Sequence, residues 1–421
     1  MDKLWKFNCS LLKDKKYIHL INTLIQEEKL KYAVPVYDPN YLTIIPDEEI
    51  TFTINDANFL EMLLLRIRGE TIKYATYCKR QENKLENRLK SEIQDLEKSS
   101  TQISQETLDN KKAELETLRQ KAITASAIRA RAQWINEGEK PTRYFCSLEK
   151  HNYVEKTIKC IELQNGDTIH DQKSILNEIA NFYSVLFSKK DNFQLDQNLD
   201  RLFEGKMVNK LTSTESLKLE GKLTLEEINH AVKHMKNGKT PGVDGFPVEF
   251  FKLFWDKLKY IILRSLNYAF DTGELSVSLR TCVITCLPKG DKPRQFLKNW
   301  RPISLLSVVY KIASTAIANR LKTVLAKIIS DSQSGFMAGR FIGENTRLVY
   351  DIMHYLEKNQ LPGLLMLVDF QKTFDSVSWA FLNDVLKFYN FGTDFQHWIN
   401  IFNKNIQAII LQSGHLSTFS P

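Results

Sequence analysis

The sequence has 421 residues, enough for more than one hydrophobic core, and 43% of them are hydrophobic, which argues against a disordered chain. Its apolar runs are too short to cross a bilayer, and the opening MDKLWKFNCSLL is interrupted by Lys, Trp and Asn, so we expect neither a membrane span nor a signal peptide. The six cysteines are scattered, a pattern typical of reduced thiols inside a cell.

Basic residues are concentrated in one part of the chain. The net charge is +8, and residues 281–340 alone carry ten basic and two acidic residues, which also gives +8. The basic residues are Lys289, Lys292, Arg294, Lys298, Arg301, Lys311, Arg320, Lys322, Lys327 and Arg340. A localised positive surface favours a polyanionic partner, because Lys and Arg neutralise phosphates and release counterions. Charge alone fits a solubilising surface equally well.

Residues 55–136 predict a long helical region that folds back on itself. Leucine and isoleucine recur at three- and four-residue spacings from Leu85 to Leu96, and a second stripe runs from Leu108 to Ile123. The polar residues 99–104 between the stripes predict a turn. We therefore expect an antiparallel helical hairpin that acts as a spacer or arm.

The periodicity changes in the next segment. Residues 157–171 alternate around Asn165-Gly166, which predicts a β-hairpin, and a helix is expected over residues 174–186. A further helix is expected after Thr224, because Thr224 and Glu227 form a capping box and Leu223 can pack on Ile228. Asn237-Gly238 is expected to end it.

Strands and helices alternate in the C-terminal half, which predicts an α+β fold. The expected elements are a strand over residues 282–289, a basic loop to residue 302, a helix over 307–327, a fully buried strand over 364–370 (LLMLVDF) and an amphipathic helix that includes Trp379, Leu382 and Leu386.

Three residues are candidates for chemistry. Asp369 lies near the end of the expected buried strand, where a carboxylate could hold Mg²⁺ for phosphoryl transfer, although many such residues only cap the next helix. Lys289 and Arg301 each stand beside a proline that stiffens the backbone. Such cations suit a triphosphate, Lys as a point charge and Arg as a bidentate fork, but ordinary surface cations are the alternative.

Four ordered blocks cover residues 220 to 421. They are LTLEEINHAVKHMKNGKTPGVDGFPVEFFK, LPKGDKPRQFLKNWRPISLLSVVYKIASTAIANRL, ISDSQSGFMAGRFIGENTRLVYDI and VDFQKTFDSVSW. This series resembles the reverse transcriptases of LINE-type (non-LTR) retrotransposons. NEGEKPTRYFCSLEK resembles the region between their endonuclease and polymerase, and WKFNCSLL is similar to the closing strand of their endonuclease.

The resemblance implies a role for each matching residue. Asp369 would bind the two catalytic Mg²⁺ ions of the complete enzyme, with help from the Phe370 carbonyl, and Phe374 would exclude a 2′-hydroxyl from the sugar site. Lys289 and Arg301 would hold the incoming dNTP. Further expected contacts are the PG-DG element of Gly242, Asp244 and Gly245 at the entrance to the fingers, and the template-path residues Gln333, Gly335, Phe336 and Arg340. Thr373 departs from the alanine that is usual in the family.

The resemblance also implies an organisation. Residues 1–14 would be the end of an endonuclease, 15–150 a helical linker, 151–222 an N-terminal extension with a β-hairpin, and 223–421 the fingers and first part of the palm of a right-hand polymerase. RNA template, DNA primer or target and dNTPs are the expected partners, and a nuclear and cytoplasmic location is implied. We expect the chain to stop before the second acidic motif, and residues 1–421 alone to be inactive.

Two alternatives remain at this stage. The first is a non-catalytic module that binds RNA or DNA through the basic residues. The second is an intron-encoded or other bacterial-type reverse transcriptase, against which the endonuclease-like WKFNCSLL and the long helical linker both argue.

Overall fold

The computed structural model describes residues 4–34, 50–98, 103–130, 157–163, 165–187, 208–370, 377–412 and 414–419. These residues form a mixed α+β structure that is mostly helical and has a small mixed sheet. Within these ranges, no helix is both long enough and apolar enough to traverse a bilayer.

The helices are α1 (Lys15–Tyr32), α2 (Asp56–Lys98), α3 (Ile103–Ala130), α4 (Gln172–Phe187), α5 (Ser213–Leu217), α6 (Leu225–His234), α7 (Val248–Leu253), α8 (Trp255–Thr272), α9 (Val277–Arg280), α10 (Val308–Ile328), α11 (Gly343–Lys358), α12 (Trp379–Phe388) and α13 (Thr393–Asn403). The strands are β1 (Ile161–Glu162), β2 (Thr168–Ile169), β3 (Thr281–Pro288), β4 (Trp300–Leu305), β5 (Gln407–Gln412) and β6 (His415–Phe419). Short 3₁₀ helices occupy Cys9–Lys13 and Leu297–Asn299.

The largest hydrophobic core joins the N-terminal part of the chain to the C-terminal half. Phe7 and Phe59 are buried in the same cluster as residues of α6, α7, α8, α10 and α13. Helix α1 contributes Tyr17, Ile21 and Ile25, whose four-residue spacing puts them on one face. The beginning of the chain is therefore packed into the same core as the helices of the C-terminal half.

The predicted helical hairpin is confirmed by α2 and α3, which pack against each other beyond the main core. Leu89, Leu108 and Leu115 are buried between them, and Lys111 Nζ lies 2.9 Å from Glu92 Oε2. The four residues that join the two helices, and residues 131–136 at the end of the predicted region, lie outside the described ranges. The first half of α2 belongs to the main core, so the arm is rooted in it.

The main sheet has the strand order β4-β3-β5-β6. Strand β3 pairs antiparallel with β4 and parallel with β5, and β5 pairs antiparallel with β6. One face of this sheet is buried against α4, where Ile284, Cys286 and Ile410 pack with Ile179 and Tyr183. The sheet is thereby fixed from one side by a second core.

Several predicted elements are confirmed. The hairpin around Asn165-Gly166 is formed by β1 and β2, with Ile161 opposite Ile169. The predicted helix over residues 174–186 is α4, the strand over 282–289 is β3, and the helix over 307–327 is α10, capped by the Ser307 hydroxyl, which accepts from Tyr310 N at 3.1 Å. The amphipathic helix that begins at Trp379 is α12.

Helix α6 also begins where its capping box predicts. The Thr224 hydroxyl accepts from Glu227 N at 3.3 Å, and Glu227 Oε2 accepts from Thr224 N at 2.8 Å. The helix ends at His234, before the predicted stop at Asn237-Gly238, because Met235 already has an extended backbone. Gly238 takes its left-handed conformation (φ +73°) in the loop that follows.

The prediction of a fully buried strand over residues 364–370 is wrong. Residues 361–370 have no strand conformation, and the side chains of residues 364–368 are 56–93% exposed. An apolar run becomes a strand only when another strand supplies its hydrogen bonds and another surface covers its side chains. Nothing of that kind packs on this run among the described residues.

Candidate nucleotide and nucleic-acid site

The turn between β3 and β4 carries a cluster of cations. We call residues 288–301 the basic hairpin. Its cations are Lys289, Lys292, Arg294, Lys298 and Arg301, and its one acidic residue is Asp291, which gives a net charge of +4. Lys289 is half-buried and the other four cations are exposed. This turn is therefore a concentrated positive surface.

Hydrogen bonds fix the backbone of the basic hairpin. Lys289 N donates to Asn299 O at 2.9 Å, and the Lys289 ammonium donates to Lys298 O at 2.7 Å. The buried Trp300 indole donates to Arg294 O at 2.8 Å. The turn is consequently ordered, because these hydrogen bonds fix the backbone that carries the cations.

Strand register determines which way the cations face. Arg301 lies directly opposite Leu287, so both side chains are on the same face of the sheet. Cys286 and Trp300 occupy the other face, against α4. The sheet thus presents the exposed Arg301 on the face opposite α4, beside the turn that carries Lys289.

Other cations of the basic stretch are used inside the protein. Arg320 is only 8% exposed. Its guanidinium forms a bidentate pair with Glu227 (2.5 and 2.9 Å) and donates to the carbonyl oxygens of Leu219, Gly221 and Lys222 at 2.7–3.0 Å. Arg320 therefore fastens α10 to the turn before α6, and it does not contribute to a surface that binds phosphates.

Two lysines of α10 are also committed to internal partners. Lys311 faces Asp244, whose Oδ2 is buried without a hydrogen-bond partner. Burial raises the pKa of Asp244 to about 6, although the hydrogen bond from Phe246 N and the charge of Lys311 act in the opposite direction. Burial lowers the pKa of Lys311. Lys327 pairs with Glu215 at 2.7 Å.

Arg340 was predicted to contact nucleic acid, but its guanidinium is turned onto its own loop. It donates to the carbonyl oxygens of Ser330 (2.5 Å), Gln333 (2.8 Å) and Ile329 (3.2 Å), and it pairs with Asp331 at 3.0 Å. Arginine bound to this many acceptors holds the loop in one shape. The position of Arg340 favours a structural role in the loop.

The remaining template-path candidates lie on the same loop. Gln333 Nε2 donates to Gly335 O at 3.5 Å, and Phe336 is 96% exposed with a left-handed backbone (φ +62°). The structure thus brings Gln333, Gly335, Phe336 and Arg340 together on a loop that Arg340 shapes.

The PG-DG element packs without space for side chains at its glycines. A Cβ on Gly242 would lie 2.4 Å from Ser307 N, and a Cβ on Gly245 would lie 2.4 Å from Trp5 Cε3. Gly245 also has φ +80°, which favours glycine. The sequence singled out these glycines, but it gave no sign that Trp5 is the neighbour of one of them.

The predicted metal ligand Asp369 is exposed, on the segment without strand structure, and Phe370 is 73% exposed. Phe374 and Thr373 lie outside the described ranges. Among the residues that the structure describes, no three carboxylate, imidazole or thiol groups converge as a metal site. The described part of the chain therefore does not fit the pair of Mg²⁺ ions that the resemblance implies.

Comparison with known proteins identifies the class. Residues 287–415 match the family model described as reverse transcriptase (RNA-dependent DNA polymerase). This match begins at the end of β3 and includes the whole basic hairpin. The chain therefore carries a reverse transcriptase domain in its C-terminal part.

Similarity to curated proteins shows which kind of mobile element the homologues come from. The chain is 35% identical over 327 residues to the "Transposon TX1 uncharacterized 149 kDa protein" of Xenopus laevis, an alignment that covers 76% of this chain and 24% of the relative. It is 24% identical over 235 residues to the "Probable RNA-directed DNA polymerase from transposon BS" of Drosophila melanogaster, covering 55% of this chain and 25% of the relative. The same fly's "RNA-directed DNA polymerase from mobile element jockey" is 26% identical over 157 residues, covering 37% of this chain and 17% of the relative. The homologues are thus proteins of non-LTR, LINE-like retrotransposons, of which the chain spans about a quarter of the length or less.

Proposed function

We propose that this chain is part of an RNA-directed DNA polymerase of a non-LTR retrotransposon, containing its fingers and the first part of its palm. In this proposal the basic hairpin binds the triphosphate of the incoming dNTP, and the protein holds an RNA template with a DNA primer. The family match and the retrotransposon relatives support the reaction class.

One structural observation carries the nucleotide-binding part of the proposal. The β3–β4 register puts the exposed Arg301 on the face of the sheet opposite α4, next to the turn with Lys289. A planar guanidinium can bind two phosphate oxygens at once, and an ammonium supplies a compact charge beside it. The core against α4 holds both strands in place, so the two cations are positioned before a ligand arrives.

Equilibrium binding of dTTP tests this assignment. Lys289→Ala and Arg301→Ala are each expected to weaken binding on the order of tenfold, because each removes a charge-assisted hydrogen bond to phosphate. Lys84→Ala, which removes an exposed lysine of the arm, is the matched control and should bind as the wild type does. Unchanged affinity in both hairpin variants would contradict the assignment.

Primer extension on an RNA template examines the polymerase step itself. We expect residues 1–421 to bind without extending the primer, because two-metal catalysis needs several carboxylates and the resemblance assigns only Asp369 as a metal ligand in this sequence. Clear template-directed incorporation of dNTPs would refute this expectation. Asp369 and Phe374 keep their proposed roles as metal ligand and sugar gate in the complete polymerase.

A nucleic-acid-binding module without catalysis is the second candidate. The exposed cations of the basic hairpin would serve it equally well. Binding of dTTP distinguishes the two candidates. A polymerase fragment should bind dTTP through Arg301, whereas a simple module should bind single-stranded RNA without any dTTP affinity that depends on Arg301.

A further inference from the structure

The PG-DG element, residues 241–245, is held between two parts of the chain that are far apart in sequence. On one side, Phe7 N donates to Gly245 O at 3.0 Å, and the Trp5 ring and carbonyl lie where a Cβ of Gly245 would be. On the other side, the backbone of Leu306 and Ser307 lies where a Cβ of Gly242 would be, at 2.4–2.5 Å. The loop is therefore clamped from both sides.

Aromatic packing anchors the N-terminal side of this clamp. Trp5 meets Phe246 edge to face with ring centroids 5.2 Å apart, and the Arg68 guanidinium of α2 lies 5.2 Å from the Trp5 ring centroid. Phe7 packs 5.4 Å from the Phe250 ring. Residues 4–8 are thus tied to both α2 and α7.

The other side of the clamp leads directly to the basic hairpin. Ser307 is fully buried and caps α10, and Leu306 is the residue after β4. Arg301 lies on β4, five residues before Leu306. A continuous path of backbone contacts therefore runs from Trp5 through Gly245 and Gly242 to the strand that carries Arg301.

We infer that residues 4–8 form a positioning strap that presses the PG-DG element against the start of α10 and so sets the position of Arg301 for the triphosphate. Trp5 is a positioning residue in this arrangement, since it acts through Gly245 and does not reach the ligand. The functional half of the inference, that the strap affects triphosphate binding, rests on the proposed role of Arg301. The structural half, that the strap holds the PG-DG element and β4 in place, does not depend on that role.

Hydrogen exchange of the free chain tests the structural half. Trp5→Ala should raise exchange at the amides of residues 242–246 and also at those between residues 300 and 310, while Trp5→Phe should largely restore protection. Phe52→Ala is the matched control, because Phe52 also packs an aromatic ring on the main core (3.7 Å from Phe59) with an arginine nearby (Arg264, 5.1 Å), but it belongs to another part of that core.

The outcome that overturns the strap is faster exchange confined to residues 4–12 and 242–246, with the amides between residues 300 and 310 no different from those in Phe52→Ala. Gly245→Ala supplies an independent variant, since its Cβ would displace Trp5 without removing any aromatic ring. It should reproduce the exchange pattern of Trp5→Ala.

Binding of dTTP tests the functional half. Trp5→Ala should weaken it on the order of fivefold without any change in charge, because a displaced guanidinium loses its bidentate geometry. Phe52→Ala should bind as the wild type does. If Arg301→Ala binds dTTP as well as the wild type does, the proposed function fails. Hydrogen exchange then remains the test of whether residues 4–8 hold the PG-DG element in place. If dTTP affinity that depends on Arg301 exists and Trp5→Ala retains it fully, the positioning role is overturned.

Discussion

The basic hairpin and helix α10 stand side by side in the sequence and have nearly the same charge pattern, yet their cations serve different purposes. On the hairpin, four of the five cations are exposed and Lys289 is half-buried. On α10, Arg320 and Lys311 are turned inward onto carboxylates and carbonyl oxygens. A run of basic residues in a sequence therefore does not define a nucleic-acid surface, because some of its cations are turned inward onto partners inside the protein.

Removal of Arg320 should have the largest effect on stability. Arg320→Ala leaves Glu227 partly buried without its bidentate partner and frees several carbonyl oxygens, so we expect a loss of roughly 3–5 kcal/mol in the free energy of unfolding. Urea denaturation measures it. Arg320→Lys should recover only part of the loss, because an ammonium cannot form the fork. Wild-type stability in Arg320→Ala would show that Arg320 does not stabilise the fold, and the contrast between α10 and the hairpin would then be lost.

The Asp244–Lys311 pair should make a pH-dependent contribution of intermediate size to the free energy of unfolding. The folded-state pKa of Asp244, about 6, lies above its usual value of 3.8, so its contribution to stability is fully present below about pH 4 and is lost as pH rises to about 6. The loss amounts to roughly 3 kcal/mol at most. Carboxylates with lowered pKa values, such as Glu215 and Glu227, act in the opposite direction, so the contribution of Asp244 is measured as a difference between the wild type and a variant without this carboxyl.

Asp244→Asn is the matched variant for that measurement. It removes the ionisable group, so the unfolding free energy of the wild type minus that of the variant should fall between pH 4 and pH 6. Identical pH profiles for the two proteins would show that Asp244 is not the group responsible.

Arg340 should show a smaller and more local effect. Arg340→Ala removes the hydrogen bonds that shape residues 329–342, for which we expect a cost of about 1–2 kcal/mol. Limited proteolysis should reveal faster cleavage in this loop, with Arg347→Ala as a control that breaks only the exposed pair with Asp351. Unchanged cleavage would show that Arg340 does not hold the loop in shape, and its predicted contact with nucleic acid would then be the better interpretation.

Local signals predicted much of the fold. The capping box of Thr224 and Glu227, the Asn165-Gly166 turn and the apolar run of β3 act over a few residues, so the sequence displays them directly. The roles of Arg320 and Trp5 could not be read in this way. Their partners lie more than 90 and 200 residues away, and no local pattern records such a pairing.

The same reasoning explains the one large error. Residues 364–368 have the composition of a buried strand, but burial and pairing depend on what packs against them, and the described part of the chain covers them with nothing. For the candidate site, the spacing of Lys289 and Arg301 around two prolines predicted cations on one loop. That Arg301 lies on the face of the sheet opposite α4, beside the turn with Lys289, required the β3–β4 register.

The central claim, that the basic hairpin and not the inward-facing cations binds polyanions, is tested most directly by the salt dependence of single-stranded RNA binding. The double variant Lys289→Ala/Arg301→Ala should reduce the slope of log affinity against log salt by about 1.4 in magnitude, about 0.7 for each lost phosphate contact. Arg340→Ala should leave the slope unchanged. A reduced slope in Arg340→Ala together with a wild-type slope in the hairpin variant would contradict the account.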